Sequence, residues 1–204
     1  EETVFAQPLI YTSFMAMCAG HEPAYKPVDE YEQLKNVLEA KLLEYNESIS
    51  TMDLVLFNQA MEHITRIARI LFQPCGNALL VGVGGSGKQS LSKLTAFILN
   101  QDIFRIVVAS NYGLADLKTD IQTLFTKTGV SGAEMLFLLT DSQIVDNKFL
   151  VYINDILSAG YIPELFAPDE LDTILGKIRG EAKQAGVLDA PDTLMAYFIN
   201  KVRR

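Results

Sequence analysis

Gly82-Val83-Gly84-Gly85-Ser86-Gly87-Lys88-Gln89-Ser90 follows the apolar run Ala78-Leu79-Leu80-Val81 and precedes Leu91, Leu94, Thr95 and Ile98, which recur at helical spacing. An apolar run, a glycine-rich turn and a helix in this order decide the fold class. The turn fits G-x-x-x-x-G-K, in which backbone N–H groups cradle phosphates and the lysine reaches the β- and γ-phosphates. Glycine tolerates positive φ and lets the backbone come close to a ligand. Successive N–H groups can line a concave anion site. A helix starting near Gly87 points its free N–H groups and positive dipole end at the same place. The implied ligand is ATP or ADP, held by Gly82, Val83, Gly84, Gly85, Ser86, Gly87, Lys88, Gln89 and Ser90. A ligand-free glycine turn is the alternative. Four glycines, a lysine in register and matching flanks weigh against it.

The pattern breaks one residue later. Ser or Thr should follow the lysine, because that hydroxyl coordinates Mg²⁺; the chain has Gln89. A second acidic site is needed on another strand, and Met135-Leu136-Phe137-Leu138-Leu139-Thr140-Asp141-Ser142 is the candidate. Two registers are open. Either Thr140 takes the metal slot and Asp141 the water-orienting slot, or Asp141 holds the metal and Ser142 stands where glutamate would. Neither supplies both carboxylates. Asp141 is thus a degenerate catalytic candidate, and the Mg²⁺ ligands are left unassigned, with Ser90 and Asp141 as candidates. As a structural residue, Asp141 would cap the turn that follows its strand.

Composition narrows the partners. The 204 residues are 49% hydrophobic and 21% charged, with 17 Lys+Arg against 25 Asp+Glu and a net charge of −8. That hydrophobic share can bury a large core. No basic stripe exists to neutralise a nucleic-acid backbone. Cys18 and Cys75 are the only cysteines; without metal-ligand spacing they read as small apolar residues in a reducing compartment. No run reaches membrane-spanning length, and the moderately apolar Val4–Gly20 stretch lacks the basic start of a signal peptide. His21 and His63 are isolated.

Along the chain, residues 1–28 are broken by Pro8, Pro23 and Pro27. Asp29 reads as an N-cap for a helix marked by Tyr31, Leu34, Leu38, Leu42 and Tyr45. Phe57, Met61, Ile64, Ala68 and Leu71 mark a second helix, stopped by Pro74 and Gly76. Ala78–Val81, Phe104–Val108 and Met135–Thr140 read as strands. Helices are predicted near 116–127, near 146–159 ending at Gly160, after Asp169 as a cap, and from about Asp192 to Arg204. Strands alternating with helices predict an α/β fold with a mostly parallel sheet.

Four stretches resemble one family. They are Met52–Phe57, Gly76–Leu91, Leu139–Gln143 and Phe149–Leu157 with Ile162–Phe166. Together they resemble the fourth AAA+ module of the dynein heavy-chain motor ring, and Gln89 after the lysine resembles its ciliary (axonemal) type. The resemblance implies a P-loop NTPase (AAA+) large subdomain, a parallel sheet flanked by helices. Residues 1–50 would be a helical lead-in from the preceding module and 51–204 a partial nucleotide-binding core. The sensor strand, last strand, helical lid and microtubule-binding stalk would follow Arg204. The sensor strand would sit between Ala78–Val81 and Met135–Thr140, leaving those two about 10 Å apart without a ladder. Backbone near Leu54, Val55 and Leu56 would contact adenine. In the family's register Thr140 takes the metal slot and Asp141 the catalytic one. The implied role is regulatory nucleotide binding with little or no hydrolysis. An active ATPase module and a purely structural ring segment are the competing roles. Partners would be neighbouring modules of the same heavy chain, and microtubules only through other parts of it, with neither nucleic acid nor membrane involved. The expected place is the cytoplasmic cytoskeleton, in the ciliary axoneme.

Overall fold

The computed structural model describes residues 10–28 and 30–203. The chain gathers into two compact units, Glu1–Asp102 and Ile103–Arg204.

In the first unit the sequence periodicity becomes packing. β1 (Tyr11–Thr12) pairs antiparallel with β2 (Lys26–Pro27), Tyr11 opposite Pro27. Between them lies the short helix α1 (Phe14–Cys18). Helix α2 (Tyr31–Ser48) buries Leu34, Leu38 and Tyr45, the positions its period marks. It runs on through the polar residues Asn46, Glu47 and Ser48. The Asp29 cap lies outside the described residues. Helix α3 (Asn58–Leu71) buries Ala60, Met61, Ile64, Ile67 and Ala68. Helix α4 (Lys88–Ile98) buries Leu91, Leu94 and Ile98. These faces make one core with Phe14, closed on one side by an edge-to-face contact of Tyr45 with Phe97 at 5.4 Å.

Ala78–Val81 is not a strand. No described segment offers it a ladder, and Leu79 and Val81 are 90% and 87% exposed. Strand preference is preference for a pleated, half-buried surface, and among the described residues no strand lies beside this run to make one.

The second unit forms around α5 (Leu114–Gly129), α7 (Pro168–Gln184) and α8 (Pro191–Val202), with Leu117, Ile121, Phe125, Ile178, Ala182, Leu194 and Phe198 buried together. Helix α6 (Phe149–Ala159) ends at Gly160, whose φ of 68° is the left-handed helix stop the sequence suggested. α7 starts two residues earlier than expected. Pro168 takes its first position, and Glu170 reaches back to accept from the Ala167 N–H at 2.8 Å, so Asp169 sits inside the first turn rather than capping it.

The two strands of this sheet are shorter than expected: β3 (Asp102–Phe104) beside β4 (Met135–Phe137). Leu138 N–H donates to the Phe104 carbonyl at 3.0 Å, and there the backbone ladder ends. The buried Gln143 side chain replaces it. Its Nε2 donates to the Ile106 carbonyl at 2.6 Å, and its Oε1 accepts from Thr140 N–H at 2.8 Å. A side chain thus satisfies backbone groups that a longer ladder would have paired. The observed architecture is therefore mixed helices with small two-stranded sheets. Among the described residues no helix is long and apolar enough to cross a membrane.

Gly129 shows how tightly this unit is packed. A Cβ there would overlap the Phe198 ring at Cε2 and Cδ2. Gly129→Ala is therefore expected to destabilise the α5–α8 contact by about 1–3 kcal/mol, the usual cost of overpacking. Hydrogen exchange along 191–202 should speed up, and Phe198→Leu should restore protection by making room.

Candidate functional site

The glycine-rich stretch forms the loop its composition requires. Gly85 and Gly87 take φ of 74° and 78°, which side chains rarely adopt. Gly87 is the residue before α4, and its carbonyl accepts from Leu91 N–H at 2.8 Å, so the helix begins within the loop. Gly84 and Gly85 have open space where a Cβ would stand. Gly82 does not. A Cβ there would meet Ser86 Oγ at 3.3 Å and lie 3.7 Å from Lys88 Nζ.

Lys88 folds over this loop. Its ammonium donates to the Gly82 and Val83 carbonyls, each at 2.7 Å, and to Ser86 Oγ at 3.1 Å. The structure therefore gathers Gly82, Val83, Ser86 and Lys88 around one point, a cation surrounded by loop backbone at the head of a helix. An anion arriving there would meet the ammonium and the free N–H groups of the first turn.

Leu54 belongs to the same neighbourhood, since its Cδ1 lies 3.8 Å from where a Gly87 Cβ would be. Leu54, Val55 and Leu56 also line a groove of about 410 Å³ whose other wall is α2, through Lys35, Glu39, Leu42, Leu43 and Asn46. That volume falls in the range of small-molecule sites. Leu56 is buried and Val55 is exposed. Asn46 fixes the approach to this segment from both sides. Its Oδ1 accepts from Met52 N–H at 2.7 Å, and its Nδ2 donates to the Met52 carbonyl at 3.4 Å. Sequence reasoning gave Asn46 no role. An asparagine that pairs with both backbone groups of one residue has no period by which to find it.

The position after the lysine does not fit a magnesium site. Gln89 is exposed at the second position of α4, and its side chain has no hydrogen-bond partner among the described residues. The hydroxyls of Ser92 and Thr95 donate to the Lys88 and Leu91 carbonyls at 2.9 and 2.7 Å. Ser90 is half-buried and one residue further, about 100° around the helix. Mg²⁺ demands near-ideal octahedral geometry from hard oxygens, and a long carboxamide does not replace a short hydroxyl in that role.

In the second unit Asp141 opens a single 3-10 turn, Asp141–Gln143, with an exposed side chain. Thr140 is bound up locally. Its Oγ1 donates to Gln143 Oε1 at 3.0 Å and lies 3.1 Å from Ser142 Oγ. Gln143 thus caps the turn from its third position, its Oε1 accepting from both Thr140 N–H and Thr140 Oγ1, and the T-x-x-Q spacing was the overlooked signal. No three His, Cys, Asp or Glu side chains gather to hold a metal among the described residues.

A family model described as the P-loop containing dynein motor region D4 matches residues 52–204. The chain is 50% identical, over 97% of its length, to the dynein beta chain of the flagellar outer arm of Chlamydomonas reinhardtii. It is 46% identical over its whole length to the ciliary dynein beta chain of Heliocidaris crassispina, and 47% to human dynein axonemal heavy chain 17. It spans about 4% of the length of each of these relatives.

Proposed function

The chain belongs to the dynein heavy-chain family, in its P-loop containing motor region D4, and we propose that it is a regulatory module that binds ATP or ADP at Gly82–Ser90 and hydrolyses little or none. The observation that carries this reading is the Lys88 ammonium held among the Gly82 and Val83 carbonyls and Ser86, at the head of α4. A cation placed there, with the N–H groups of a helix start beside it, is a device for polyphosphate. The groove bounded by Leu54–Leu56 would take the adenine. Asp141 would be the remnant of the acidic strand end. The fold proposed around them is the AAA+ large subdomain with a parallel sheet.

The named relatives are flagellar, ciliary and axonemal dyneins. The chain would accordingly work in the cytoskeleton of a ciliary axoneme. It would contact neighbouring AAA+ modules of its own heavy chain and meet microtubules only through other parts of it. Neither nucleic acid nor membrane enters this reading.

The test is site-resolved photolabelling of the heavy-chain motor that carries this sequence, using 2-azido-ATP. Cleavage after Lys41 and Arg66 releases residues 42–66 as one peptide. Saturable label on that peptide, competed by ATP and ADP, is expected. Its absence while other nucleotide sites of the motor are labelled would make the module a structural ring segment.

A further inference from the structure

This inference rests on the nucleotide reading above and concerns the form in which the ligand is held. A phosphate loop of this kind neutralises its ligand with a lysine and with Mg²⁺. The lysine is present. The short hydroxyl that would bind the metal is replaced by Gln89, whose amide is exposed and unengaged among the described residues. The hydroxyls of Ser92 and Thr95 on the same helix donate to its own carbonyls. A glutamine amide offers two N–H donors where a serine or threonine offers one O–H. Those donors serve a bare phosphate oxygen directly, and the amide's single oxygen, on a longer stem, does not reproduce the reach of a short hydroxyl to a metal beside the phosphates.

We infer that the loop holds a nucleoside diphosphate without magnesium, with the Gln89 carboxamide donating to phosphate oxygens in place of a metal-binding hydroxyl. The diphosphate is favoured over the triphosphate by charge. ATP carries one more negative charge, and with no metal that charge falls to Lys88, the neutral Gln89 amide and the backbone N–H groups, with no second cation to offset it. Each bond from Gln89 to a charged oxygen is of the stronger, charge-assisted kind. The position can accept such a role because Gln89 supports nothing else. The core face of α4 is Leu91, Leu94 and Ile98.

The experiment uses the heavy-chain motor and 2-azido-ADP, reading label on the 42–66 peptide in Mg²⁺ and in EDTA. The half-labelling concentration of the parent is expected to agree within about threefold between the two conditions, less than one charged hydrogen bond would change it. Gln89→Ala should raise the metal-free value about tenfold, the loss of one such bond. Gln89→Thr should make labelling magnesium-dependent, tightening about tenfold when the metal is added. It also reports that the altered loop still folds. A parent that tightens tenfold or more with Mg²⁺ overturns the metal-free site and leaves nucleotide binding standing. An unchanged Gln89→Ala overturns the role given to the carboxamide. No label in either condition, with other modules labelled, overturns the nucleotide reading and this inference together.

Discussion

Lys88→Ala is expected to weaken nucleotide binding at this loop by about thirtyfold or more, with α4 intact. Removing one partner of a hydrogen-bonded charge pair costs about 2–5 kcal/mol, and about 1.4 kcal/mol corresponds to each decade of affinity. Among the described residues the ammonium is the only side-chain cation the loop gathers, donating to Gly82, Val83 and Ser86. Its loss removes the charge and also the tie that draws Gly82 and Val83 together. The helix does not need it. Lys88 is the first residue of α4, where alanine is a good helix former, and the buried face begins at Leu91. The measurement is half-labelling of the 42–66 peptide by 2-azido-ADP in variant and parent motor, with hydrogen exchange across 88–98 to show that the helix persists. Equal labelling in the two proteins would remove the phosphates from this loop.

A smaller effect concerns pH. Lys201 and Tyr197 donate to Glu181 at 2.7 and 3.0 Å, joining α8 to α7, and those bonds, Lys201's first, hold the Glu181 carboxyl below its ordinary range. A carboxyl whose value is depressed in the folded state adds stability above its unfolded value, and loses it as pH falls through the folded one. Protection of 191–202 from hydrogen exchange should therefore fall on acidification in the parent and fall less in Glu181→Gln. Identical acid profiles would leave the Glu181 bonds without energetic weight.

What the sequence revealed and what it concealed separate along a physical line. α3 was legible because Met61, Ile64 and Ala68 step at the helical period and all reach the core. α4 was legible because a left-handed glycine precedes an apolar period. Gly160 was legible as a stop because the left-handed conformation is costly for other residues. The strands were not, because an apolar run reports burial and not who pairs with it. Phe104–Val108 and Met135–Thr140 were both read as longer than the ladder that forms, since a side chain, Gln143, takes over the Ile106 carbonyl and the Thr140 N–H. Ala78–Val81 was read as a strand on hydrophobicity alone, and no described partner lies beside it. The loop residues were legible because glycine spacing is a backbone constraint. Asn46 was hidden because its two bonds to Met52 depend on tertiary approach and not on any repeat.

ATP turnover at this module is expected to be negligible in the parent and to rise about a hundredfold or more in the combined Gln89→Thr, Thr140→Asp, Asp141→Glu variant. Phosphoryl transfer depends on positioning and on neutralising charge at the transferred group, and removing a single preorganised group that does so typically costs about 10²–10³ in rate. The chain departs from the required residue types on the metal side, at Gln89 and at Thr140. Thr140 also has its hydroxyl engaged with Gln143 Oε1. The substitutions are compatible with the local fold. Thr140 stands before the 3-10 turn, a position that favours aspartate, and the replacement gives up only the hydroxyl's bond to Gln143 Oε1. Asp141 and Gln89 are exposed, so neither replacement disturbs a packed contact. The measurement is single-turnover hydrolysis of ATP by the motor with the phosphate-loop lysines of its other modules replaced, comparing parent with variant. Roughly 1 s⁻¹ or faster in the parent, within the ordinary range for enzymes, would mean that this site assembles its catalytic groups from residues other than those at 89, 140 and 141.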